Sequence, residues 1–172
     1  MSDGHEWLQD WIGREAVYTA PEPLGRAAIR CFALAVGDEN PVYVDDDAAR
    51  RAGHDGVVAP ATLVCETNQF VARHRPVDGY PGHVWNLPGG PYDLVRGGNE
   101  YTFGRPVRPD DVVTVRWRLT DARETLSERL GPLLVVTSQA DYRAADGELL
   151  ATNIDTTLYV RRTPGGTPGG TR

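Results

Sequence analysis

The chain has 172 residues, 40% of them apolar and 24% charged, and its net charge is −6. That length fits one domain whose core needs neither disulfides nor a metal, and the acidic balance excludes nucleic acid as the main partner, because phosphate binding requires a basic face. All 18 basic residues are Arg, and without a Lys amine Schiff-base chemistry is excluded.

The opening residues MSDGHEWLQDW contain no apolar leader, and no run reaches the length of a membrane span. The expectation is a cytoplasmic protein with no membrane partner. Trp7, Leu8, Trp11 and Ile12 predict a short helix over 6–12, followed by an extended piece over 16–19. After Pro21 and Pro23, apolar positions Leu24, Ala27, Ala28, Cys31, Phe32 and Ala35 recur at intervals of three and four. They predict a helix over 24–36 that stops at Gly37. Residues 45–52 read as a second helix, and Gly53-His54-Asp55-Gly56 as a turn. Residues 57–72 read as a third helix, whose apolar start predicts burial. Cys31 and Cys65 fall in these helical patterns as buried thiols. With no Cys/His cluster nearby, no metal is expected.

Residues 73–98 are rich in Pro, Gly and aromatics and read as a long loop. The period then changes to two. One strand is predicted over 99–105 and another over 112–120, with Val113, Val115, Trp117 and Leu119 on one face. Two more follow over 133–142 and 150–160, joined by a hairpin at Asp146-Gly147. In the last strand Leu150, Ile154, Leu158 and Val160 share a face with Thr152 and Thr156. The Pro/Gly repeat of 163–172 has nothing to bury and is expected to be disordered. Helices first and antiparallel strands after make this an α+β chain.

Chemistry concentrates after Gly37, in Asp38-Glu39-Asn40-Pro41-Val42-Tyr43-Val44-Asp45. A carboxylate, an amide and a phenol sit in a Pro-stiffened loop. Taken alone, Asp38 is open between an Asx-turn acceptor and an active-site carboxylate, and Tyr43 between a packed aromatic and an acid. His54, His74 and His83 are each open between surface or packing roles and a ligand contact. Arg73, Arg75, Arg105 and Arg108 stand between solvated charge and phosphate binding. Trp85, Leu87, Tyr92 and Leu94 either line an acyl channel or pin the loop down.

Three stretches, 29–45, 48–62 and 97–111, resemble the MaoC-like (R)-specific enoyl-thioester hydratases and dehydratases, and most closely their MaoC N-terminal, or FAS1-like dehydratase, branch. The resemblance implies a single hot-dog domain over 1–162, in which a curved antiparallel sheet wraps a central helix, ahead of the 163–172 tail. It also implies a catalytic set at Asp38, with Asn40 holding the loop's geometry and Tyr43 standing where the family has His. Hydration of an enoyl thioester needs a water activated beside the β-carbon and a proton delivered to the α-carbon, work suited to a carboxylate and an imidazole. A phenol, with a pKa near 10, is a poor base at neutral pH. The thioester oxygen gains charge and needs N–H donors from the start of the central helix, here Val58-Ala59-Pro60-Ala61. Counted without a gap the donor falls at Pro60, which has no N–H; a shift of one puts it at Ala61. Trp85 and Arg105 complete the expected substrate-binding set.

The resulting expectation is a subunit of an enoyl-thioester hydratase or 3-hydroxyacyl-thioester dehydratase, shaping the acyl pocket beside a MaoC-like catalytic subunit in a heterodimer or heterotetramer. It would use no cofactor, its substrate being carried as a CoA or acyl-carrier thioester. A self-sufficient homodimer using Asp38 with Tyr43 or His54 is the first alternative. A non-catalytic acyl-thioester binder or a hot-dog thioesterase is the second. The thioesterase needs a helix carboxylate, and Glu66 is the only one inside the predicted helix, about two turns from its start.

Overall fold

The computed structural model describes residues 6–65 and 82–162. The end of the expected third helix, from Glu66 on, lies outside the described residues, as do Arg73, His74, Arg75 and the 163–172 tail. A short helix α1 (Glu6–Gln9) leads to strand β1 (Glu15–Thr19) and helix α2 (Arg26–Val36). A single 3-10 turn (Pro41–Tyr43) and helix α3 (Asp46–Arg51) follow. Four long strands complete the described chain: β2 (Tyr92–Phe103), β3 (Thr114–Ser127), β4 (Gly131–Arg143) and β5 (Leu149–Arg161).

The strands form one antiparallel sheet in the order β1-β3-β4-β5-β2. β3, β4 and β5 are joined in succession, and the short β1 and the long β2 close the two edges. The expected α+β order is therefore present, helices before strands. In β3 the alternation buries Val115, Trp117 and Leu119, while Arg116 and Arg118 stay exposed. In β5 the odd residues turn inward. Ala151, Asn153, Asp155, Thr157 and Tyr159 are buried, and Ile154 lies on the opposite, exposed face. Leu150 does reach the core, but the face that carries Ile154 and Leu158 is not the one under it, and three polar side chains point inward in its place.

Three boundaries differ from the sequence reading for definable reasons. β2 starts at Tyr92, well inside the expected loop. Gly97-Gly98 reads as a turn, yet it forms a bulge in mid-strand, with Arg96 opposite Thr157 and Gly98 opposite Thr156. The extra Gly97 fits because a Cβ there would meet Thr156 O at 2.9 Å. Residues 57–60 are buried and not helical; helix is present at 63–65. Pro60 removes an N–H and disfavours helical geometry before it, and the free amides find strand-like partners, Val58 N–H on Val42 O and Ala59 N–H on Val107 O. Finally, α2 buries Ile29 and Ala33. That axis leaves Cys31 exposed and Cys65 half-buried, so neither is the fully buried thiol expected.

The core joins Leu8, Ile29, Val57, Leu63 and Val64 to Trp117, Leu119, Tyr142 and Tyr159 of the sheet. Among the described residues no helix is long and apolar enough to cross a membrane. Nor does any group of three His, Cys, Asp or Glu side chains there come together as a metal site.

Candidate active site

α2 ends because Gly37 takes the left-handed conformation (φ 71), letting its N–H cap Ala33 and Leu34 carbonyls. Asp38 N–H also returns to Ala33 O, at 2.9 Å. Two Asx turns then follow back to back. Asp38 Oδ1 accepts from Asn40 N–H at 3.1 Å, and Asn40 Oδ1 accepts from Val42 N–H at 3.2 Å. Pro41 sits at the start of the 3-10 turn, where its missing N–H costs nothing. The turn delivers Tyr43 back toward Asp38, whose Oδ2 accepts from the phenol at 3.0 Å. Desolvation and the neighbouring Asp38 carboxylate together raise the Tyr43 pKa above its ordinary 10.0. Tyr43 is therefore a protonated donor at neutral pH, and the carboxylate's second oxygen is occupied by it.

Tyr43 faces a recess of about 340 Å³ whose wall also includes Asn40, His54, Val58, Ala59, Ala61 and Arg105. Six of the nine residues expected from sequence thus share one cavity, Tyr43 among them. Asp38 stands behind Tyr43 and does not line it. Pro60 is buried and outside the wall. Trp85 is elsewhere, its indole N–H donating to Ser138 Oγ at 2.9 Å and its backbone N–H to Tyr159 OH at 2.9 Å. It pins the loop before β2 onto the sheet. His83 does similar work, hydrogen-bonded to Tyr18 OH through Nδ1 and packing edge-on against Trp85 at 4.3 Å between centroids.

The loop over 57–62 is positioned by charge. Arg26 of α2 forks onto both oxygens of Asp46 at 2.7 Å, and Asp46 Oδ1 also accepts from Val57 N–H at 3.0 Å. The Val57 N–H and then Arg26 hold the Asp46 carboxyl below its usual range. Beyond Pro60 the chain turns into helix, and among the described residues the N–H groups of Ala61 and Thr62 have no acceptor. First-turn amides of a helix are natural donors to a developing oxyanion. Ala61 lies on the recess wall and, unlike Pro60, carries a backbone N–H.

Arg105 lies in the wall with its charge already committed. Nη1 and Nη2 fork onto Asp111 at 2.7 and 2.8 Å, Nη1 also reaches Pro106 O, and Nε bonds Glu148. One Nη2 N–H is left of the five that a guanidinium carries. Its bond to Asp111 raises the Arg105 pKa further. Burial alone would raise the Asp111 pKa, but Arg105 and the Arg108 N–H outweigh it and leave the carboxyl below normal. Arg105 therefore fixes the strand end and the 105–111 loop, and is poorly placed to seize a phosphate. Arg108 is likewise paired, with Asp55 at 2.9 Å. The sequence reading missed Asp111, Glu148 and Asp46 as the anchors of this wall; the signal available was the acidic pair at 110–111, close behind Arg105 and Arg108.

A family model described as the FAS1-like, dehydratase domain region matches residues 10–153. The chain is similar to the UPF0336 protein of Parafrankia sp., at 36% identity over 83% of this chain and 87% of that protein. It is also similar to the probable enoyl-CoA hydratase alpha subunit of Thermomonospora curvata, at 30% identity over 87% of this chain and 50% of that protein. Among solved structures, the ChsH1-ChsH2 complex from Mycobacterium tuberculosis superposes with a TM-score of 0.67, at 25% identity over 88% of this chain and 91% of that one.

Proposed function

Because the chain belongs to the FAS1-like dehydratase family of MaoC-like proteins and has their hot-dog fold, we propose that it is the pocket-shaping subunit of an enoyl-thioester hydratase or 3-hydroxyacyl-thioester dehydratase. A MaoC-like partner carries the working acid–base pair. The substrate is an acyl chain held as a CoA or acyl-carrier thioester, no cofactor takes part, and the reaction runs in the cytoplasm. In this reading the recess beside Tyr43 receives the thioester end, with the Ala61 N–H facing the carbonyl oxygen.

The observation that carries the reading is the Tyr43–Asp38 bond. Water addition needs a base able to take a proton near neutrality. A phenol with its pKa above 10.0 is ionised to less than about one part in a thousand at pH 7. The Asp38 carboxylate is already engaged by that phenol and by the Asn40 N–H. The similarity to a protein named as an alpha subunit and to one chain of a two-protein complex supports the partner half of the proposal. A second reading rests on His54, which lines the same recess as Tyr43; a homodimer could use that imidazole with Asp38.

The test is hydration of crotonyl-CoA and of a longer enoyl-CoA by the purified chain, alone and mixed with a MaoC-like subunit that has a complete Asp/His pair. Turnover in the mixture and none from the chain alone is expected. Brisk turnover by the chain alone, abolished by His54→Ala, would replace this proposal with the homodimer. Release of free CoA would make the chain a thioesterase.

A further inference from the structure

A second recess, of about 200 Å³, opens on the inner face of the sheet, with Phe32, Cys65, Trp117 and Tyr101 on its sides. It adjoins the first. Thr62 lines the second and its chain neighbour Ala61 the first, and likewise Tyr101 lines the second and Phe103 the first, their rings stacked 5.8 Å apart. Its floor is unlike an ordinary apolar channel. Asn99, Asn153 and Asp155 line it; the alternation of β5 turns Asn153 and Asp155 inward, and Asn99, exposed on β2, stands opposite Asp155. Asn153 is 1% exposed. Its Nδ2 donates to Asn99 Oδ1 at 2.9 Å, and its Oδ1 is the one buried side-chain polar atom among the described residues with no partner.

An unpaired buried carbonyl is costly, and one in a cavity large enough for a ligand marks a place where a ligand donor belongs. Exchanging the amide ends of Asn153 would leave its NH2 group unpaired instead, so the group that satisfies the site in either case both donates and accepts. Resting on the thioester reading above, we infer that this recess takes the distal part of the acyl group, and that Asn153 selects acyl groups carrying a hydroxyl beyond the carbons that react. Phe32 and Trp117 provide the apolar walls for the carbon chain, and Asn153 meets the hydroxyl at its end.

The test is calorimetric binding of saturated acyl-CoAs from hexanoyl to decanoyl, each with and without a terminal hydroxyl. The protein is whichever form, the full chain alone or mixed with its partner, binds crotonyl-CoA. At one chain length the hydroxylated ligand should bind roughly tenfold tighter than its parent, the worth of one buried hydrogen bond. In Asn153→Leu that ratio should fall to about one. If the single variant does not fold, the double variant Asn99→Leu with Asn153→Leu removes both partners together and should show the same loss. Equal affinities at every length in the wild type would mean that water satisfies Asn153, and would overturn the inference. A hydroxyl preference that survives in the variants would overturn it too. If no form binds crotonyl-CoA, the thioester reading fails and this inference with it; if crotonyl-CoA binds and the hydroxyl makes no difference, this inference alone fails.

Discussion

The loop that delivers Tyr43 and the joint around Arg105 border one recess but are built differently. The loop is exposed, and the side-chain bonds that shape it link residues two and five apart in sequence. The joint ties Arg105 to Asp111 and to Glu148, and its central pair is 13% and 8% exposed. The loop's side-chain bonds close within the loop itself, so they hold its shape whatever chemistry its side chains can perform. The joint ties β2 to the β4–β5 hairpin, and the wall depends on it. Under the proposed function the joint holds the wall of the substrate recess, while the loop puts a phenol where the chemistry needs a base.

That contrast predicts unequal penalties. The largest belongs to Asp111→Ala, which leaves the Arg105 guanidinium half-buried without its main partner; it should cost about 3 kcal/mol or more in denaturant unfolding. A loss below about 1 kcal/mol would mean that the joint behaves as a surface pair and that the contrast is false.

A smaller penalty is expected for protonating His83, which also belongs to the anchored interior. Burial lowers its pKa from 6.5 to about 4, so between those values the unfolded chain binds more protons than the folded one. The stability that neutral His83 provides is complete above the unfolded pKa and fades as pH falls toward the folded one. From neutrality to about pH 5 the loss should be up to about 2 kcal/mol, solvent screening of the partly exposed ring reducing it. His83→Gln keeps a hydrogen-bonding partner for Tyr18 but does not titrate, and should flatten that part of the profile.

The smallest effect is expected in the loop. Tyr43→Phe removes one exposed hydrogen bond and should change stability by about 0.5 kcal/mol, against about 1 kcal/mol for a typical net hydrogen bond. Tyr43→His sharpens the contrast on the chemical side. If an imidazole base is what the lone chain lacks, the substitution should give it measurable crotonyl-CoA hydration where the wild type has none.

Much of this was legible from residues alone. The alternation of Val115, Trp117 and Leu119 marked β3, Asp146-Gly147 marked the last hairpin, and the Gly37 stop set up the Asp38 loop. The rest was hidden for physical reasons. The β2 bulge looks like a turn because glycines serve both, and only the strand opposite decides. The inward face of β5 carries Asn153 and Asp155, and periodicity cannot say which face of an alternating strand is covered. The anchor Glu148 meets Arg105 from 43 residues away, a distance that no local pattern spans. The recess itself gathers residues from the 40–43 turn, the 52–61 segment and the end of β2, so the family resemblance could suggest its members but not that Trp85 stands apart.

The central claim is that this chain builds the pocket and another supplies the base. Steady-state hydration of crotonyl-CoA by the mixed assembly, with this chain wild-type or Asp38→Ala, tests it most directly. The account predicts kcat/KM values within about twofold of each other, because a group outside the proton transfer contributes little to the barrier. A fall of about a hundredfold or more, the usual worth of a lost general base, would contradict it and place the chemistry on Asp38.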